Sequence, residues 1–289
     1  MAFFPSARLA RGLSLLVGIL SGPSLLAATI AHYRFETGPN NAAVSSIVDS
    51  GPNGLHGTVA GSLTYGSSAG GTTGLYSLNA VGDSNFGRVA NSTLLNPTGD
   101  FTVEAFFKGD LPYNGFGTEN GHAMIAVKRW TSTPMGYMST WELAVNLSTG
   151  RPVAAVSFGG GNGQGLTGLA SVLDGAWHHI ALVYDKDASG NIDAMSLYLD
   201  GVLQAQSSYA MPTLATGNQN LYIGAGNFFG ESPGSSFRSN FDGWIDELRI
   251  SDTALSAAQF LQIPEPTHTS FVMLGLIAIF HSRRRWFAT

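Results

Sequence analysis

Trp177-His178-His179-Ile180-Ala181-Leu182-Val183-Tyr184-Asp185, followed by Leu197-Tyr198-Leu199-Asp200-Gly201, decides the architecture of this chain. The first run reads as a strand over residues 177–185, with Trp177 as a buried core residue at its head. The second closes a strand over 194–199, and an apolar run over 202–206 returns across Asp200-Gly201. An Asp-Gly pair between two alternating runs signals a hairpin, because a type I′ turn needs positive φ at both central residues.

Further strand-like runs lie on either side, at 29–35, 101–108, 123–129, 141–147, 152–158, 221–224 and 241–250. In the first, Ile30, His32 and Arg34 alternate with Ala31, Tyr33 and Phe35, the period of two that a pleated strand requires. Asp49 to Gly57 is rich in turn residues, and Gly159-Gly160-Gly161-Asn162-Gly163-Gln164-Gly165 reads as a mobile loop. Only 253–261 reads as helical, about two turns. No repeat or linker interrupts the series. Many short strands separated by turns predict an all-β sandwich or jelly roll.

Composition agrees. Glycine fills 37 of 289 positions, roughly 13% against a usual 7%, and only 11% of residues are charged. Such a chain is too apolar and too weakly charged for disorder. It has no cysteine, so neither disulfides nor a thiol nucleophile are available.

Both ends read as targeting segments. Arg8 and Arg11 precede an apolar run at 13–20, and Ala27-Ala28 follows, the order of a secretory signal peptide over 1–28. At the other end Pro264-Glu265-Pro266 precedes a mostly apolar stretch and then Arg283-Arg284-Arg285. This order resembles the PEP-CTERM sorting signal, which implies an exosortase-type processing enzyme as a partner. The arginines would stay on the cytoplasmic side. The apolar stretch falls short of the about twenty residues of a full span, which suits transient association with the inner membrane. The chain thus divides into a signal peptide (1–28), one domain (29–262) and a sorting segment (263–289). The two ends are expected to form short hydrophobic targeting helices. The protein is expected to be exported, passing through the inner membrane to the cell surface or extracellular matrix. Five of the 14 basic residues and one of the 19 acids lie in the terminal segments, leaving 9 basic and 18 acidic residues in the domain. That balance argues against nucleic acid as a partner.

Three motifs carry a family resemblance. Tyr33-Arg34-Phe35-Glu36 with Asp49-Ser50-Gly51 and His56-Gly57 form an opening. The run from Trp177 to Gly201 forms a centre, and Phe241-Asp242-Gly243-Trp244-Ile245-Asp246-Glu247-Leu248-Arg249-Ile250 a closing strand. In this order they resemble laminin G-like domains of the concanavalin A-like jelly-roll class, with two antiparallel sheets. The resemblance implies a structural calcium site away from the ligand face, in which Glu36, Asp246 and a carbonyl near Gly57 would begin an oxygen shell. The residues also admit a plainer reading, in which Asp246 and Glu247 bond loop backbone and pair with Arg34 or Arg249.

Signals for catalysis are weak. The Glu-x-Asp-x-x-Glu run of jelly-roll glycanases is absent. Glu104, Glu142 and Asp193 are scattered along the middle strands, whereas retaining glycosidases need two carboxyls about 5 Å apart. His178 and His179, adjacent on a strand, point to opposite faces and cannot easily share a metal. Aromatics in turn-rich stretches could stack on sugars: Phe228 and Phe229 first, then Trp130 and Tyr113. The sequence therefore points to an exported, non-catalytic binding or adhesion module, associated with carbohydrate or exopolysaccharide. Its alternatives are a glycoside hydrolase or lyase of the same class and a purely structural matrix protein.

Overall fold

The computed structural model describes residues 28–67, 76–79, 85–109, 121–129, 139–159, 162–226 and 239–262. The strands in chain order are β1 (Thr29–Tyr33), β2 (Gly57–Ala60), β3 (Thr64–Ser67), β4 (Tyr76–Asn79), β5 (Phe86–Val89), β6 (Phe101–Gly109), β7 (His122–Arg129) and β8 (Ser139–Asn146). They continue as β9 (Arg151–Ser157), β10 (Gly163–Thr167), β11 (His178–Ser189), β12 (Ile192–Leu199), β13 (Val202–Tyr209), β14 (Leu221–Ile223) and β15 (Gly243–Ser251). An eight-stranded sheet runs β13-β12-β11-β6-β15-β4-β3, with β1 also on β15; a seven-stranded sheet runs β10-β9-β8-β7-β14-β5-β2. All pairings are antiparallel. This is the expected all-β jelly roll of two sheets.

Alternation decides what lies between them. Phe101, Val103, Ala105 and Phe107 of β6 point inward, as do Ile180, Leu182 and Tyr184 of β11. They meet Trp141, Leu143 and Val145 of β8 from the other sheet. Burying each such side chain contributes roughly 1.5–3 kcal/mol. Trp141 keeps its indole N–H satisfied by donating to the Leu95 carbonyl at 3.2 Å.

The outer face of the large sheet is partly covered. The predicted helix over 253–261 is not there; only Ala257–Gln259 makes a single 3₁₀ turn, held by Ser256 and Gln259. The rest is extended because Leu255 and Phe260 pack on Ala181 and Val183 from outside. Tertiary packing overrides local propensity here.

Two more expectations change. The glycine-rich loop ends earlier than predicted: Gly163 to Gly165 belong to β10, an edge strand on β9. Short strands β2 to β5 arise in stretches whose glycine and serine content hid their alternation. The signal peptide up to Ala27, the sorting segment from Ile263 onward and the targeting helices expected there lie outside the described residues. Among the described residues, no helix is long and apolar enough to cross a membrane.

Candidate functional site

Trp177 is not in the core. It precedes β11 and is half-buried. The strand register explains this: His178 lies opposite the inward Phe107, and His179 opposite the outward Phe106. One step further, Trp177 comes level with Lys108 on the outer face. Lys108 in turn lies opposite Trp244. The row Trp177–Lys108–Trp244 thus crosses β11, β6 and β15 where Leu255 and Phe260 do not cover the sheet.

These three half-buried side chains line a pocket of about 250 Å³ with Asn40, Asn41 and Ser67, which are exposed at its rim. The Lys108 ammonium sits 5.3 Å from the Trp244 ring centroid. Indole faces beside amide and hydroxyl donors form the mixed surface that polar, ring-shaped ligands require. Trp177 also borders a second pocket of about 270 Å³, with Phe106, Asp200, Phe260 and Gln262. Alternation counted back from Ile180 would have put Trp177 outside; nothing local marked Asn40 and Asn41.

Two expected site residues come together. Glu36, Asp246 and Glu247 place one carboxylate oxygen each within 4.8 Å of one another, with Asp246 and Glu247 buried. The cluster forms where β15 exchanges one neighbour for another: β4 pairs with Trp244 and Ile245, and β1 with Leu248 to Ser251. Glu247 takes the bulge between them at φ +50°. It pairs with His32 and, at 3.2 Å, with Arg34. Burial raises its carboxyl, but the hydrogen bond and charge of His32 and the charge of Arg34 outweigh that and hold it below the usual range. Asp246 accepts from the Glu247 N–H at 2.9 Å.

Gly57, the third expected member, is a backbone position. It is in β2 of the smaller sheet, opposite Val89, and its carbonyl accepts from Ile47 N–H at 3.0 Å. Its lack of a side chain has a steric reason: a Cβ would come within 2.6 Å of the Arg88 carbonyl oxygen. Nearby Asp49 is a loop staple, accepting from the N–H groups of His32, Gly51 and Leu55 at 2.7–2.9 Å.

The other candidates separate as alternation requires. His178 bonds Asp200 and Asp174, while His179 bonds Glu104 at 2.9 Å from the opposite face. Glu104 is fully buried and also holds Arg249 and the Leu261 N–H. Glu142 lies on the other sheet with Ser139 and His122, and Asp193 holds the Tyr184 hydroxyl. These three acids therefore serve separate networks. Tyr113, Trp130, Phe228 and Phe229 lie outside the described residues.

A family profile described as the concanavalin A-like lectin/glucanases superfamily matches residues 81–260. No curated protein matches the sequence. Among solved structures, the binding domain of paraclostridial mosquitocidal protein 1 is similar at TM-score 0.57 and 13% identity, over 80% of this chain and 50% of that one. The botulinum neurotoxin serotype G binding domain is similar at TM-score 0.55 and 12% identity, over 80% and 49%. The serotype D ligand-binding domain in complex with N-acetylneuraminic acid is similar at TM-score 0.51 and 11% identity, also over 80% and 49%. The chain thus spans about half the length of these structures.

Proposed function

Because this chain belongs to the concanavalin A-like lectin/glucanases superfamily, we propose that it is a non-catalytic carbohydrate-binding module whose site is the Trp177–Trp244 pocket. The observation that carries the reading is two half-buried tryptophans on one cross-strand row, with exposed amides at the rim. An indole face packs against the C–H face of a sugar ring while amides take its hydroxyls. The three solved structures are described as binding domains, and one holds a sugar acid. At 11–13% identity that likeness speaks to fold, and the reading rests on this chain's own pocket.

The reading extends to place and cofactor. The signal-peptide pattern and the sorting signal with Pro264, Glu265, Pro266 and Arg283 to Arg285 put the module at the cell surface or in the matrix after exosortase-type processing. Calcium is its structural ion, held by Glu36, Asp246 and Glu247. Three hard oxygen donors, two of them buried, suit a divalent cation.

A glycan array probed with the purified protein tests the function. Trp177→Ala and Trp244→Ala should each weaken binding by about 1–3 kcal/mol. Since both residues are half-buried, the variants should stay folded by circular dichroism. A blank array, or binding that neither substitution changes, would overturn the reading. Release of new reducing ends from a bound glycan would favour the hydrolase instead.

A further inference from the structure

Lys108 is the only charged side chain lining the Trp177–Trp244 pocket among the described residues. Its contact with the Trp244 ring orients the ammonium but occupies none of its three N–H donors. The other buried or half-buried basic side chains among the described residues have partners. Arg34 has Glu247, Arg249 has Glu104, and Arg129 has Ser139. Lys128 donates to the carbonyls of Gly217 and Gln219, and Arg88 is also engaged. The domain holds 18 acids to 9 bases, so acids to pair with a lysine are plentiful. Among the described residues, Lys108 nevertheless shares its pocket with two indoles and no carboxylate. Its N–H donors are thus free to make a charge-assisted hydrogen bond to an anionic ligand entering the pocket.

Resting on the carbohydrate reading, we infer that the ligand is an acidic polysaccharide. Lys108 pairs with the anionic group of a sugar unit held against Trp177 and Trp244. A lysine ammonium is a point charge that does not select the geometry of a carboxylate over a sulfate. The shared chemistry is therefore an anionic sugar, and the probes must separate its two sources.

The experiment measures binding of the full protein to polygalacturonate, its fully methyl-esterified counterpart, dextran sulfate and dextran. Expected is binding to at least one polyanion, with its uncharged counterpart about tenfold or more weaker. Binding should weaken in about 0.5 M NaCl. Lys108→Gln should lower affinity to the uncharged level, whereas Lys108→Arg should largely retain it. Which polyanion binds separates carboxylate from sulfate. Salt sensitivity alone would not locate the site, so the Lys108→Gln result decides, with an unchanged melting temperature showing that the variant is folded. Equal binding of charged and uncharged polymers, or a polyanion affinity that Lys108→Gln leaves unchanged, overturns the acidic ligand but leaves carbohydrate binding standing. Failure of all four polymers together with a blank glycan array removes both.

Discussion

Glu104 shows how an acid scattered on a middle strand is taken up by a buried network. It lies in the middle of β6 with no exposed surface, holding His179, Arg249 and the Leu261 N–H. Burial raises its carboxyl, but the hydrogen bond and charge of His179 and the charge of Arg249 outweigh burial and hold it below the usual carboxylate range. A depressed folded value contributes stability that is present above the unfolded value and lost as pH falls through the folded one. Glu104→Gln should thus cost about 3 kcal/mol at pH 7, because it strands the Arg249 guanidinium. The gap to wild type should narrow as the pH falls through and below the usual carboxylate range. Urea melts of both proteins across this range check it; a gap independent of pH would mean that the ion pairs contribute nothing. Trp177 carries the converse lesson. A tryptophan heading an apolar strand reads as core, yet parity counted from inward Ile180 puts it outside. That signal was in the sequence. The role of Asn40 and Asn41 was not, because only the folded chain brings them beside Trp177 and Trp244, 136 to 204 positions later.

At the scale of elements, legibility followed local chemistry. The β12–β13 hairpin was readable because its turn is specified by two residues: Asp200 has φ +50° and Gly201 φ +74°, as a type I′ turn requires. The long strands β6, β7, β8, β9 and β11 were readable from apolar runs. β2 to β5 were not, since each has only four residues and owes its order to partners distant in sequence. The 253–261 segment misled for a related reason: its apolar spacing fits a helix, but the site it packs against is an extended strip on the large sheet. The hairpin supplies a clean test. A Cβ at Gly201 would meet nothing within 4 Å, so the cost of a side chain there is backbone strain alone. Gly201→Val should cost about 1–3 kcal/mol, and Gly201→Asn much less, because asparagine tolerates the left-handed region. Thermal melts of the two variants decide. Equal melting temperatures would show that the turn imposes no φ requirement.

At the scale of the whole molecule, the problem is closure without a disulfide. β1 begins the domain and β15 nearly ends it, and the two pair from Thr29 with Ser251 to Tyr33 with Leu248. Just beyond this pairing the chain leaves β1 through Phe35, at φ +56°, and Glu36 arrives beside Asp246 and Glu247. Arg34 offsets part of that negative charge at Glu247, where His32 is also in contact. A calcium ion bound only by the folded state would add RT ln(1 + [Ca²⁺]/Kd), about 2.7 kcal/mol at a hundred times Kd. For a domain of this size each kcal/mol raises Tm by roughly 2–4 °C, so millimolar calcium should raise Tm by several degrees and chelator should reverse it. Asp246→Asn is the informative variant. Its amide oxygen can still accept the Glu247 N–H, so the bulge keeps its hydrogen bond while one charge is removed. If calcium binds, Asp246→Asn loses the calcium response and melts below the calcium-loaded wild type. If the carboxylates answer only to Arg34 and His32, removing a like charge leaves Tm unchanged or raises it, and wild type melts identically in calcium and in chelator. Calorimetric scans of the two proteins under both conditions separate these outcomes.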